Sequence, residues 1–120
     1  MKYLFLIYTA PGAFEGLSEA DRAEFIAQGR RHTEELTASG ELVGGAALAD
    51  VDNSRTVRVR EGVPATTDGP FAEAKEQLAG YYAVDCEGIE RAAEIAAEDP
   101  AARFWAVEVR PIMDEVGMEM

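Results

Sequence analysis

Cysteine and histidine are nearly missing from this sequence, which has one of each, Cys86 and His32. A single cysteine cannot form a disulfide within the chain and gives no sign of an oxidising compartment, so we expect a cytoplasmic protein. A structural zinc site needs four Cys or His ligands, which excludes the usual kind here and predicts no metal centre. We expect Cys86 to be a small buried hydrophobic residue rather than a nucleophile.

Basic residues are also scarce, with 11 Lys and Arg against 23 Asp and Glu, and the net charge is -12. A surface this negative repels the phosphate backbone of nucleic acids, so direct binding to DNA or RNA is not expected. The apolar run at residues 3–8 is too short to span a membrane. Gly44 and Gly45 lack the spacing and the lysine of a phosphate-binding loop, so the sequence predicts no nucleotide cofactor.

The length and composition are those of one globular domain. With 120 residues, of which 48% are hydrophobic and 28% charged, the chain can bury a core but is too short for two independent ones. We therefore expect a single domain over residues 1–120, in which residues 111–120 form a C-terminal tail.

The first third of the chain predicts a strand, a helix and a second strand. Residues 2–9 are apolar on both alternating faces, as in a central strand that is covered on both sides. Ser18 can cap a helix that begins next to it, and Gly40 suits the left-handed position after its last turn. The strand that follows, residues 42–48, contains a pair of glycines that indicates a bulge or a close backbone approach.

Residues 56–60 alternate strictly between two kinds of side chain. A strand here places Val57 and Val59 on one face, which we expect to lie toward the core, and Arg58 and Arg60 on the other. The two arginines could contact an anionic group of a small substrate.

The remaining pattern completes an α+β fold. A turn at Glu61 and Gly62 leads into a further strand, and a short helix is predicted at residues 72–77. A strand at residues 80–86, a helix at residues 89–97 and a last strand at residues 104–109 follow. This order fits a ferredoxin-like βαββαβ sandwich with extra turns in the middle.

His32 is the only side chain whose unperturbed titration lies near neutral pH, so it is a candidate for general acid or base catalysis. The alternative is a histidine at the boundary of a solvated helix face. The arginines before it and the glutamates after it can form ion pairs along such a face.

Asp68 lies in the most unusual stretch of the chain, TDGPF at residues 67–71. An aspartate before Gly-Pro often fixes a turn or caps a helix, and a functional role is the alternative. Tyr81 and Tyr82 point to opposite faces of one strand, so one should belong to the core while the other could line a cleft.

The TDGPF stretch, followed by AEAKEQLAGYY at residues 72–82, resembles the DGPF motif of the YCII-related proteins. The resemblance extends in order and spacing over most of the chain, at residues 1–8, 34–45, 56–60 and 107–111. It implies a ferredoxin-like fold of the dimeric α+β barrel type, in which the sheets of a homodimer face one another and enclose a cleft.

The resemblance also implies a function. Members of the family are suspected of being enzymes because a histidine and an aspartate near the cleft look like an acid–base pair. Our hypothesis is a small-molecule-binding domain, with possible catalysis, in which His32 and Asp68 exchange protons. The candidate ligand contacts are Arg58, Arg60, Thr67 and Tyr82. Because DGPF proteins are often associated with extracytoplasmic-function sigma factors, a non-enzymatic regulatory partner is the alternative.

Overall fold

A computed structural model describes residues 1–71 and 75–120 of the chain. The strands in chain order are β1 (Lys2–Thr9), β2 (Leu42–Ala47), β3 (Arg55–Arg60), β4 (Val63–Asp68), β5 (Gln77–Asp85) and β6 (Ala106–Pro111). The helices are α1 (Glu19–Ser39), α2 (Ile89–Glu98) and α3 (Pro100–Phe104), and a single turn of 3-10 helix lies at Val51–Asn53.

Four of the strands form one antiparallel sheet in the order β2-β5-β1-β6. Helix α1 connects β1 to β2, while α2 and α3 connect β5 to β6, so the sheet has the ferredoxin-like βαββαβ topology. Strand β1 is central, as its doubly apolar pattern predicted. The remaining strands, β3 and β4, form a separate hairpin, which lies between β2 and β5 in the sequence.

The predicted ends of α1 are confirmed in detail. Ser18 Oγ accepts a hydrogen bond of 3.0 Å from the Asp21 backbone N–H, which satisfies one free amide of the first turn. Gly40 has a φ of 79°, and its N–H bonds to the carbonyls of Leu36 and Thr37. The helix therefore ends where the chain must turn back toward the sheet.

The close approach predicted at the glycine pair is also confirmed. The register between β2 and β5 shifts between Leu42 and Gly44, and Gly45 lies opposite Tyr82. A Cβ atom on Gly45 would lie 2.5 Å from the Cβ of Tyr82 and 2.5 Å from the carbonyl oxygen of Tyr81. Only glycine lets β2 lie this close to β5 at that point.

Two predicted elements differ from the structure. The last strand begins at Ala106 rather than at residue 104, because Asp99 caps the helix α3 and Pro100 occupies its first position. Residues 72–74 of the short helix predicted at 72–77 lie outside the described residues, and Gln77 is already the first residue of β5.

We call the β3–β4 hairpin, residues 55–68, the arm. Its strands meet at a turn in which Glu61 has a φ of 53° and Gly62 a φ of 77°. Val57 and Val59 are 60% and 56% exposed, so the expectation that they lie toward the core is wrong. The reason is topological, because within residues 1–71 and 75–120 β3 pairs with β4 alone and no helix packs on the hairpin.

The core lies between the sheet and the helices. Tyr3 and Phe5 of β1 and Val84 of β5 meet Leu36 of α1 and Ile95 of α2 there.

The prediction for the single cysteine is confirmed by this core. Cys86 is buried in it, and its Sγ donates a weak hydrogen bond to the Gly88 carbonyl. Burial raises the pKa of the Cys86 thiol, which keeps it protonated and unreactive near neutral pH.

In the described part of the chain, the helices pack on the face of the four-stranded sheet that carries Tyr3 and Phe5, and none packs on the other face. Because side chains alternate along a strand and Tyr3 and Phe5 face the helices, Leu4, Leu6 and Tyr8 point to this outer face. Tyr81 of β5 lies opposite Leu6 on the same face. Leu6 is only 8% exposed in the protomer, whereas Tyr81 is 40% exposed, and a large apolar side chain left in contact with water forgoes roughly 1.5–3 kcal/mol of burial free energy.

We propose that a second copy of the chain covers this outer face. Light scattering should then give twice the 13.0 kDa mass of one chain at micromolar concentration. Leu4→Asp should shift the mass toward that of one chain, since it places a charge in the contact. A wild-type mass that stays at 13.0 kDa would contradict the proposal.

An ion pair joins the end of α1 to α2. Arg91 on α2 donates two hydrogen bonds to Glu41, from Nε to Oε2 at 3.0 Å and from the terminal nitrogen Nη2 to Oε1 at 2.8 Å. These hydrogen bonds hold the pKa of the Glu41 carboxyl below its ordinary value of 4.5. The pair is half-buried, which limits screening by solvent.

Glu41→Gln should lower the melting temperature at pH 7. A carboxyl whose pKa is lowered in the folded protein contributes stability above its ordinary value of 4.5, and that contribution is lost as the pH falls through the folded pKa. The difference from wild type should therefore shrink below pH 4.5. The control is Glu35→Gln on the exposed side of α1, and an equal effect of both variants at every pH would disprove the role of the pair.

Candidate functional site

A cavity of about 670 Å³ lies between α1 and the strands β1, β2 and β5. This volume suits a small organic molecule. Most of its wall is apolar, formed by Ile7, Phe14, Phe25, Leu36, Leu42, Leu48, Pro100 and Trp105. Its polar side chains are those of Thr9, His32, Thr33, Tyr82 and Asp99. No Lys or Arg is among the described residues that line it.

One side of the cavity is an aromatic cluster centred on Phe25 of α1. Its ring meets the rings of Trp105 and Phe14 edge-on, with centroids 4.9 and 6.1 Å apart. The Phe104 ring also meets the Phe25 ring edge-on, with a centroid distance of 6.0 Å. Edge-to-face contacts of this kind hold aromatic rings in fixed orientations. The cluster therefore gives the cavity a firm wall against which a flat ring can pack.

His32 lies on the side of α1 that packs on the sheet. It is one helical turn before the buried Leu36, so both side chains point the same way, and His32 is only 7% exposed. This rules out a place on the solvated face of α1. The His32 Nε2 atom lies 3.3 Å from the hydroxyl oxygen of Tyr82 on β5.

Tyr82 joins this histidine to a buried aspartate. The Tyr82 hydroxyl donates a 2.6 Å hydrogen bond to Asp99 Oδ2, while Asp99 Oδ1 accepts a 2.8 Å bond from the backbone N–H of Ala101. Burial raises the pKa of Tyr82 strongly, and the nearby Asp99 adds to this, so the hydroxyl keeps its proton. We call His32, Tyr82 and Asp99 the relay.

The relay fixes which nitrogen of His32 is available for chemistry. The Tyr82 hydroxyl has one proton, and it donates this proton in the hydrogen bond to Asp99. Toward His32 the hydroxyl oxygen can therefore only accept a hydrogen bond, and the donor is Nε2–H. Every fully buried side-chain nitrogen and oxygen among the described residues has a partner, yet Nδ1 of His32 bonds to none of them. Nδ1 therefore retains access to solvent at the cavity wall and is the nitrogen that can exchange a proton.

The structure brings together two of the six residues predicted for the site, His32 and Tyr82. The other four are on the arm: Arg58, Arg60, Thr67 and Asp68. None of these four lines the cavity. The Asp68 side chain is 93% exposed, and its Oδ1 lies 3.6 Å from Nε of Arg55. Within one protomer Asp68 does not meet His32, and the roles assigned to the arm residues stay predictions.

Sequence reasoning missed Asp99. The Asp99-Pro100 dipeptide is a signal for a helix start, and it could have predicted the cap on α3. The contact with Tyr82, 17 positions away in sequence, has no local signal because it depends on where the start of α3 lies in the folded chain.

A second depression, of about 440 Å³, lies beside the base of the arm. Arg55, Thr56 and Phe71 line it, and the guanidinium of Arg58 lies over the Phe71 ring at 4.4 Å. In residues 1–71 and 75–120, no three His, Cys, Asp or Glu side chains are grouped so as to hold a metal ion. None of the helices in this part of the chain is both long and apolar enough to cross a membrane.

The model of the YCII-related domain matches residues 1–116, so the chain belongs to the YCII-related domain family.

One curated protein is similar in sequence. The chain is 37% identical over 76 residues to an uncharacterized protein, R00369, of Rhizobium meliloti (strain 1021). That match covers 62% of this chain and 61% of the relative, so the chain spans about three fifths of the relative's length.

A solved structure is similar over almost the whole chain. It is the 5-chloro-2-hydroxyhydroquinone dehydrochlorinase TftG of Burkholderia phenoliruptrix AC1100, in complex with 2,5-dihydroxybenzoquinone. The TM-score is 0.55 at 16% sequence identity, with 98% of this chain and 99% of that chain covered. Together with the sheet topology, this confirms the predicted fold class, an α+β ferredoxin-like sandwich of the dimeric α+β barrel type.

Tyr82→Phe should destabilise the protein by about 1–3 kcal/mol, because it leaves buried polar atoms of Asp99 and His32 without their partner. Tyr81→Phe is the matched control, since Tyr81 is the neighbouring residue on β5 and is exposed. It should change the free energy of unfolding by less than about 0.5 kcal/mol. Urea denaturation measures both, and equal values for the two variants would show that the relay does not stabilise the fold.

Proposed function

We propose that this protein binds a small organic molecule in the cavity and acts on it by acid–base catalysis through His32. The observation that carries the proposal is the relay in the wall of an otherwise apolar cavity. Burying a histidine and an aspartate costs desolvation free energy, even when a tyrosine hydroxyl joins them. A functional role at the adjacent cavity accounts for this cost.

The proposed reaction step is a proton transfer. An acidic hydroxyl or C–H group of the ligand gives its proton to Nδ1 of His32, which leaves an anionic ligand and an imidazolium. The imidazolium keeps its Nε2–H bond to Tyr82, and Tyr82 keeps its bond to the Asp99 carboxylate. The buried negative charge of Asp99 thus stabilises the new positive charge at a distance of one hydroxyl group. Return of the proton to another atom of the ligand completes the step.

The lining of the cavity indicates an uncharged, flat ligand. No Lys or Arg is among its described lining residues, so a carboxylate or phosphate would lose its hydration without gaining a cation. The aromatic cluster around Phe25 favours a ring. The ligand named for TftG, 2,5-dihydroxybenzoquinone, is a ring that bears hydroxyl groups, and it supports this choice for the present chain.

Three finer statements belong to the same proposal. The TDGPF stretch at residues 67–71 supports membership of the DGPF-motif subgroup. The single cysteine supports a cytoplasmic protein. A regulatory partner linked to extracytoplasmic-function sigma factors rests on the resemblance alone, and the contacts in the cavity favour the enzyme hypothesis over it.

Hydroquinone should bind to the wild-type protein, and cyclohexane-1,4-diol, which lacks the flat ring, should bind much more weakly. Isothermal titration calorimetry at a fixed pH measures both affinities.

Three variants complete this experiment. His32→Gln should bind hydroquinone weakly, whereas Arg31→Gln, which changes the exposed neighbour, should behave like wild type. Asp68→Asn tests the alternative acid–base residue and should leave the affinity unchanged, since Asp68 lies outside the cavity. Loss of binding in Asp68→Asn with retention in His32→Gln would refute the proposal.

A further inference from the structure

Gly29 lies at the middle of α1, where glycine is a poor choice for a helix. In a helix interior glycine is less favourable than every other residue except proline, because it loses the most backbone freedom on folding. Its neighbours in sequence, Gln28 and Arg30, are good helix formers. A glycine at such a position calls for a reason in the backbone, in the packing or in the function.

Neither the backbone nor the packing requires glycine at this position. Gly40 needs its positive φ and Gly45 its close approach to Tyr82, but Gly29 has neither property. Outside the neighbouring turns of α1, a Cβ atom on Gly29 would have one described atom within 4 Å, Cγ of Pro100 at 3.9 Å. That distance is an ordinary van der Waals contact, so the helix has room for a methyl group that the chain leaves empty.

The empty space belongs to the cavity. Gly29 lines it together with Phe25, about one turn earlier on α1, and with His32 and Thr33, about one turn later. Residues three and four apart lie on the same side of a helix, so Gly29 occupies the place between the aromatic cluster and His32. A ring that packs against Phe25 and directs a hydroxyl group toward His32 therefore lies over Gly29.

We propose that Gly29 determines which ligands the cavity accepts, because its missing side chain lets a planar ring lie against the backbone of α1 between Phe25 and His32. This inference rests on the proposed function and deepens it, since it names a residue that selects a flat ring. Even a methyl group at this position moves the ring away from α1, and the ring hydroxyl then leaves hydrogen-bond distance of His32 Nδ1. Gly29 thus sets the shape of the site, while His32 carries the proton.

Gly29→Ala tests the inference by two measurements that should change in opposite directions. The melting temperature should rise by about 2–5 °C, because alanine is the best helix former and its methyl group has room. The affinity for hydroquinone, measured by isothermal titration calorimetry, should fall by at least about tenfold, as expected for the loss of one hydrogen bond. Gly29→Leu, which carries a larger side chain that also favours a helix, should abolish hydroquinone binding.

The matched control is Thr37→Ala, which also introduces alanine into α1, at an exposed residue that is not among the described residues of the cavity wall. It should raise the melting temperature and leave the affinity unchanged.

The outcomes separate this inference from the proposed function. If wild type binds hydroquinone and Gly29→Ala binds it equally tightly, the role of Gly29 is overturned while the proposed function stands. A lower melting temperature for Gly29→Ala also overturns that role, since the space beside Gly29 would then not be empty. If wild type does not bind hydroquinone, the proposed function fails and this inference fails with it.

Discussion

Strand β1 is hydrogen-bonded along both edges, to β5 on one side and to β6 on the other, and the rest of the structure depends on this position. A strand held on both edges can bury both of its faces. Tyr3 and Phe5 on one face anchor the core beneath the helices. The same strand extends to Ile7, which lines the cavity next to the core. Strand β1 therefore supports both the core and the wall of the cavity. The residues between them, Leu4 and Leu6, give the sheet its apolar outer face.

The relay is the second constraint, because it ties three parts of the chain together. Its members come from α1, from β5 and from the residue that caps α3, and the hydroxyl of Tyr82 makes both side-chain contacts. Buried polar groups are tolerated when each has its partner, and Asp99 gains a second one in the backbone of α3. The chain thereby fixes the orientation of a titratable ring at the wall of a cavity whose other side chains are largely apolar.

The strongly negative net charge affects which molecules the protein can bind. A net charge of -12 repels the phosphate backbone of nucleic acids, and the absence of Lys and Arg from the described lining leaves the cavity without a counterion for an anionic ligand. The arm is the exception, since Arg58 and Arg60 lie together on one of its faces. The sequence pattern predicted that these two arginines contact the ligand. Their position outside the cavity separates the local excess of positive charge from ligand recognition within one protomer.

The sequence by itself determined what depends on neighbouring residues. The helix ends at Ser18 and Gly40 follow from capping, the turn at Gly62 from its backbone freedom, and the burial of Cys86 from its apolar strand. The order of these elements was enough to give the ferredoxin-like fold.

Only the tertiary structure decided which residues share the site. The alternation at Val57 and Val59 correctly predicted a strand, but a strand pattern does not tell whether the strand joins the main sheet or leaves it. In the same way His32 and Asp68 are the most conspicuous polar residues locally, yet it is Asp99 that reaches the relay, through Tyr82. Such contacts arise from long-range packing, and a local sequence pattern carries no information about which distant residue will lie across the core.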